Sequence, residues 1–433
     1  MLIKKSLSKT LKSVSIFAMV FSLFTTSSWA MEADETGTPA HTFMSLPKEV
    51  QVMCCPREAL KEIALVSKHF YGLSRDWNFP RTHVISSPAE VKDLGNLTKS
   101  QIDQKYPLIT TVRVKLPVDL KLEETDLKYL FDFIDVLFKD HSQPMTLDLS
   151  NSNINEEDVT LLANILETNT SLTHLNLSGN LIGERGAVAL FTALKSNNSL
   201  SKLIMAHNCI GDEAAEVLSD TLKTNTSLSH LDLKTTDIGS SGAAALFSAL
   251  ETNHFLSTLI LCNNPIWQDG EAFKENLGTA LRQSTSLTSL DLSETSIGDE
   301  EVTALSTALA KNSSLKSLNL SKINISQTGI EALCSALEST TTPRSLNLSI
   351  NVLGEPALAR IATALQNNVP LISLTLDHNV VFDADAIRLA AALETNTSLT
   401  ELSLKGHEFL DEEGKEALRA AFESRKNGKL LLD

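Results

Sequence analysis

Ten leucines in this 433-residue chain stand on a nearly regular ruler: Leu147, Leu175, Leu203, Leu231, Leu259, Leu290, Leu318, Leu346, Leu374 and Leu402. The interval is 28 residues, with a single interval of 31 between Leu259 and Leu290. Two residues after each comes a second leucine, replaced once by Met205, and three residues before each comes another, replaced by Pro144 and Pro343. A fixed period of this length, with an L-x-x-L-x-L core, restricts the chain to a stack of identical supersecondary units.

Residues 172–199 show what one unit does. Leu175 and Leu177 alternate as in a strand, so Thr173, His174 and Asn176 face away from the core. Ala187, Leu190, Ala193 and Leu194 then recur at helical spacing and form one apolar stripe. Small residues, Gly183 and Gly186, turn the chain into that helix. An Asn-x-Ser/Thr triplet closes it repeatedly, at Asn169, Asn225, Asn312 and Asn396. These asparagines are expected in the left-handed conformation that ends helices. The same triplets match glycosylation acceptors, but they recur because the unit does.

A single unit cannot cover its own apolar face, so neighbours must stack. Strands sit about 4.8 Å apart, whereas packed helices need about 8–10 Å. The helical layer is therefore the longer one, and an α/β solenoid with a parallel sheet on the inner wall of a horseshoe is expected.

Over residues 144–433 these ten units resemble leucine-rich repeats of the ribonuclease-inhibitor type, also found in NOD-like receptors. The position of Asn180 is again Asn at 208, 264, 351 and 379, but Ser152, Thr236, Thr295, Ile323 and His407 elsewhere. The ladder of buried asparagine hydrogen bonds that the resemblance implies is thus incomplete, with Ile323 unable to take part. Residues 256–286 carry three extra residues near Trp267–Lys274, expected on the loop or helix side, and the tenth unit has one extra residue before Leu418.

Residues 1–30 read as a secretory signal: Lys4, Lys5, Lys9 and Lys12, then the apolar run Val14–Phe24, then Ser28-Trp29-Ala30. The run is short for a membrane span. Export is expected, to the periplasm or out of the cell, with delivery into a host cell as the further expectation. Without this segment 33 basic residues face 53 acidic ones, a net charge of −20. Such a surface disfavours nucleic acid and anionic membrane and favours basic protein partners. The five cysteines do not form a disulfide framework: Cys54 and Cys55 are adjacent, and Cys209, Cys262 and Cys334 fall at three different places in their units.

Residues 31–42 are polar and expected to be disordered. Residues 43–85 carry Leu46-Pro47-x-Glu49 and Val66-x-Lys68-x-Phe70-Tyr71-x-Leu73, with Leu60, Ile63, Val66 and Phe70 at helical spacing. This segment resembles an F-box, and the resemblance implies docking on a Skp1-like ubiquitin-ligase subunit through Leu46, Pro47, Glu49, Val66, Lys68 and Phe70. It departs from the family in a first helix about three residues short. Repeat arrays also need a cap, and three helices there would serve. Residues 86–143 are expected to form an irregular capping repeat, with a strand at Ile109–Leu116 and an amphipathic helix at Thr125–Phe138. Lys429–Leu432 is a further candidate strand.

The outward positions of the sheet carry His174, Lys202, His230, Asp232, Lys234, Asp291, Glu294, Lys316, Lys322, Arg344, Asp377, Glu401 and Lys405. His174 and His230 lie two strands apart, about 10 Å by strand spacing, too far to share a metal ion. The mixed charges do not form a paired-acid site. No nucleophile elbow, Walker loop or dinucleotide fingerprint occurs, so neither a cofactor nor catalysis is expected. The chain reads as a protein-binding scaffold: an adaptor whose wall captures a protein target while the head engages a ligase subunit. A stoichiometric enzyme inhibitor of the ribonuclease-inhibitor kind is the second reading, and a regulator of small GTPases the third.

Overall fold

The computed structural model describes residues 81–87, 90, 93, 94, 109–114, 129, 130, 133, 134, 145–266, 271–423, 425 and 428–432. All of them belong to the unit Pro80–Asp433. The signal sequence, the polar linker and the F-box-like residues Leu46, Pro47, Glu49, Val66, Lys68 and Phe70 lie outside the described residues.

The leucine ruler becomes a single parallel sheet. Its strands are β1 (Arg81–Ile85), β2 (Ile109–Val114), β3 (Met145–Asp148), β4 (Leu172–Asn176), β5 (Lys202–Ile204), β6 (His230–Asp232) and β7 (Thr258–Ile260). They continue as β8 (Ser289–Asp291), β9 (Ser317–Asn319), β10 (Ser345–Asn347), β11 (Ser373–Thr375), β12 (Glu401–Leu404) and β13 (Lys429–Leu432). Each strand pairs with its sequence neighbours, in the order β1 to β13. Register is set by burial: Val112, the ten ruler leucines and Leu430 form one continuous column of paired residues. A slip of one residue would turn every leucine outward.

Ten helices alternate with the strands from β3 onward: α1 (Glu156–Thr168), α2 (Glu184–Ala193), α3 (Gly211–Leu222), α4 (Ser240–Leu250) and α5 (Glu271–Gln283). Then follow α6 (Asp299–Leu309), α7 (Gln327–Leu337), α8 (Glu355–Gln366), α9 (Asp383–Thr395) and α10 (Glu412–Glu423). Each helix packs on the next one along, and its apolar stripe closes one core with the leucine column. In α2 the buried residues are Gly186, Ala187, Leu190, Phe191 and Ala193, the expected stripe with Phe191 added. The result is the leucine-rich-repeat solenoid that the period implied.

The 31-residue interval leaves the sheet undisturbed, since Thr258 still pairs with Ser289. Ile238 and Ile266 are equivalent at 28 residues, while the buried pairs Leu246/Leu277 and Leu250/Leu281 are equivalent at 31. The extra residues therefore fall between Ile266 and Leu277, where Phe273 packs edge-on against Phe247 at 5.6 Å.

Two expectations need correction. Arg81–Ile85 is a strand, although it falls in the segment 43–85 expected to be helical; a five-residue run with alternating Thr82 and Val84 has too little length to announce its period. The expected strand at 109 is present over Ile109–Val114, and its expected last residues lie outside the described residues. Finally, the asparagines that close the helices are not left-handed at Asn169 (φ −77°) or Asn396 (φ −74°) but extended. Their side chains explain why.

A candidate protein-binding wall

Two asparagine ladders hold the repeats together, one at each end of the strands. In the first, the Asn180 amide donates to Leu149 O (2.9 Å) and Leu177 O (2.8 Å) and accepts from Ser152 N and Ile154 N. Asn208, Asn264, Asn351 and Asn379 repeat the pattern, each reaching back 31 residues for a carbonyl. Thr236 and Thr295 donate to the carbonyl three residues earlier in their own repeat and reach no carbonyl of the preceding one, the Thr236 hydroxyl also donating to Asn264 Oδ1, and Ile323 contributes just its backbone N–H, to Asn351 Oδ1. His407 ends the row with Nδ1 2.7 Å from Asn379 O.

The second ladder explains the Asn-x-Ser/Thr triplets. Asn197 donates to Leu166 O (2.7 Å) and Asn169 O (2.9 Å), and accepts from Ser199 N and Leu200 N. Asn225, Asn253, Asn312 and Asn396 also reach the carbonyl 31 residues back and accept from the N–H three residues on. All are buried. With the side-chain nitrogen engaged and buried, these triplets are structural joints in the folded chain.

The outward face of the sheet is built in rows, and the rows sort the predicted site residues. His174, Lys202 and His230 share one row in consecutive strands, with Glu401 far along it. Burial, and then the neighbouring Lys202 charge, lower the pKa of both histidines. The ammonium between the two rings is the reverse of what a shared metal needs, and no group of three potential metal-binding side chains occurs among the described residues.

Asp232 and Asp291 occupy the next outward row, but their carboxylates are occupied. Asp232 accepts from Lys234 N (3.0 Å), and Asp291 accepts from Ser293 N (2.9 Å) and from the amide of Asn319 (3.0 Å). Asp377 likewise accepts from Lys405 N. Asp232 and Asp291 are turn-closing acceptors at strand ends, while Asp377 ties its repeat to the next one; period-2 reasoning could not distinguish either role from binding. Glu294 and Lys322 follow in the left-handed position after their strands, φ 56° and 55°, and pair at 2.8 Å. The hydrogen bond from Lys322 lowers the pKa of Glu294 and raises its own.

Lys316 and Arg344 stand apart. The position before each strand is a hydroxyl in the earlier repeats: Thr173, Ser201, Ser229, Ser257 and Thr288 each donate to the backbone carbonyl of the equivalent residue one repeat back. At Lys316 and Arg344 this row of hydroxyls stops. Both side chains are exposed, and among the described residues neither has an ion-pair or side-chain hydrogen-bond partner. Their backbones are adjacent, with Arg344 N donating to Lys316 O at 2.9 Å. Sequence reading missed Arg113, which pairs with Asp148 at 2.7 Å from β2 to β3; only the β2–β3 register, which sets the two residues opposite each other, reveals it.

The family model described as "Leucine Rich repeat" matches residues 168–191, 196–219, 224–247, 283–306 and 311–334. No curated protein matches the chain. Among solved structures, the leucine-rich repeat-containing protein LegL7 from Legionella pneumophila is 20% identical, with 69% of this chain and 86% of that chain covered and a TM-score of 0.40. Rad7, in its complex with Elc1 in yeast, is 15% identical, with 80% and 77% covered and a TM-score of 0.42. The leiomodin-1 actin-binding site 2 is 22% identical over 36% of this chain and 86% of its own, with a TM-score of 0.31.

Proposed function

We propose that this chain is a protein-recognition adaptor: the outward face of its sheet captures a protein target, and its F-box-like head presents that target to a Skp1-like ubiquitin-ligase subunit. Export through residues 1–30 and work inside a recipient cell complete the reading. The observation that carries target capture is the pair Lys316 and Arg344. Five preceding repeats use this position to close the backbone with a hydroxyl, while here two long cations are held side by side and uncompensated. A cation without a partner on a chain of net charge −16 is not needed for packing or solubility. It suits an acidic or carbonyl-rich spot on a target, where arginine binds carboxylates in bidentate fashion.

The test uses the chain from residue 31 to 433, carrying a photo-crosslinking residue at Lys202 or at the helix-side position Glu216. A single target should crosslink from position 202 and not from 216, and Lys316→Glu/Arg344→Glu should abolish it. Skp1 should co-purify with the parent chain and be lost with Leu46→Ala/Pro47→Ala. Equal crosslinking from both faces would end the wall reading, and equal recovery of Skp1 by both chains, or by neither, would end the ligase reading.

A further inference from the structure

The strand-to-helix loops of the last three repeats carry an apolar strip; of the earlier loops, that of the second repeat also exposes a large apolar residue, Leu181. Ile350 (φ 57°) and Val352 (φ 53°) both sit in the left-handed region. β-Branched side chains are outliers there, whereas Asn and Asp tolerate it. Equivalent left-handed positions to Val352 are occupied by Asn153, Asp237 and Asn324. The other β-branched residue of this kind, Thr235, accepts a hydrogen bond from Asn263 through its hydroxyl (2.9 Å), a compensation that Ile and Val lack. Yet Val352 is 72% exposed, and burial gives it no return for its backbone.

Two loops further along, Phe409 is 54% exposed and stacks on the exposed Phe382, with ring centroids 5.2 Å apart and planes at 27°. The loops are fastened edge to edge: Ile350 N donates to Asp377 O, Val380 N to Leu353 O and His378 N to Lys405 O. The four apolar side chains therefore lie on three consecutive loops of one edge. Around Phe409 stand Glu408, Asp411 and Glu413, exposed carboxylates for which no ion pair occurs among the described residues. Glu355 and Glu412 are already matched by Arg388 and Arg419. Lys405 and Lys415 are the opposing charges nearby, so the surroundings of the strip stay acidic.

We propose that this loop edge, through Ile350, Val352, Phe382 and Phe409, docks a basic amphipathic peptide segment of a protein partner. Apolar contacts would anchor the segment, and its Lys or Arg residues would face Glu408, Asp411 and Glu413. Three loops at strand spacing span about 10 Å, which two turns of helix cover at about 5.4 Å per turn; anchors at i, i+3 or i+4 and i+7 fit. An acidic second copy of this chain would meet like charge here. The surface is separate from the Lys316–Arg344 wall, and the inference does not rest on it.

The test selects a random 12-residue peptide library on the immobilised chain, residues 31–433. Enriched peptides should combine at least two large apolar residues at helical spacing with an excess of Lys and Arg. By fluorescence anisotropy a selected peptide should lose about tenfold or more in affinity on Phe382→Ala/Phe409→Ala, the scale of a hot-spot deletion. Glu408→Lys/Glu413→Lys should weaken it and reduce its salt dependence, while Lys316→Glu/Arg344→Glu should leave it unchanged. Val352→Asn should weaken binding without lowering the melting temperature, which separates a docking role from a structural one. The proposal is overturned by absence of enrichment, by selected peptides that are neutral or acidic, or by affinity indifferent to the phenylalanines. A dimer in sedimentation experiments that dissociates on Phe382→Ala/Phe409→Ala would assign the edge to a second copy and overturn it equally.

Discussion

The guanidinium of Arg425 donates to the main-chain carbonyl of Asn396, where the preceding turns offer the amide of another asparagine. Arg425 also reaches Leu393 O and Leu399 O. Asn197 makes the same two backward bonds at 31 and 28 residues, and Arg425 makes its own at 32 and 29 because the tenth repeat has one residue more. Burial lowers the pKa of Arg425. A ladder of neutral amides thus ends on a cation that satisfies three carbonyls at once.

Arg425→Ala should release those three carbonyls and loosen the last repeat. Hydrogen bonds from a charged group contribute about 1.5–3 kcal/mol each at most, and water will recover part of that at an edge. Hydrogen exchange should show the amides of α9, α10 and β13 losing protection, with those of α1 to α4 unchanged.

Asn225→Ala removes a buried amide that serves two carbonyls and two N–H groups. Leaving them unmet should cost about 2–4 kcal/mol in urea denaturation. Asn198→Ala, at an exposed neighbouring position, should stay within about 0.5 kcal/mol.

Leu318→Asp places a carboxylate in the middle of the buried column, beside Leu290 and Leu346. An unpaired buried charge should cost several kcal/mol and divide the array, seen as a second unfolding transition. Lys316→Ala and Lys322→Ala, on the same turn of the solenoid but outward, should each change stability by about 0.5 kcal/mol or less.

His174 and His230 should titrate below the ordinary histidine value of 6.5. Because the folded chain resists their protonation, it binds fewer protons than the unfolded chain as pH falls below that value. Stability is therefore retained above about pH 6.5 and declines as the pH drops through the unfolded and then the lowered folded pKa. Lys202→Ala should raise both midpoints by NMR while leaving them under 6.5, since burial is the larger cause.

Cys334 is buried, and desolvation pushes its thiol up to about 12. Cys209 is exposed, its pKa raised chiefly by a hydrogen bond with Asp237. Peptide-level mass spectrometry after iodoacetamide should show Cys209 modified first, and faster in Asp237→Asn. Cys334 should react only once the chain is unfolded.

The solenoid and its register were legible because a leucine every 28 residues leaves one way to bury them all. The outward rows were legible too: His174, Lys202 and His230 align as the strand alternation said. What alternation could not tell was occupation. Asp232, Asp291 and Asp377 look like Glu401 or Lys316 in sequence, yet the first two close turns and the third bonds the backbone of the next repeat. The recurrent asparagines read as helix terminators, and Asn169 and Asn396 do cap helices, but Asn197 and its equivalents are also the bolts between repeats. Arg81–Ile85 was missed as a strand because the first repeats lack the leucine signature that marks the others.

Periodicity by itself thus determined the fold, the strand order and which side chains point outward, since burying an apolar column is a local demand repeated along the chain. Tertiary structure alone decided which polar groups are spent on carbonyls and N–H groups 26 to 31 residues away and which, like Lys316 and Arg344, are left over. The reason is geometric: a hydrogen bond depends on a partner in the neighbouring coil to within a few tenths of an ångström, and only the stacked repeats bring that partner into place.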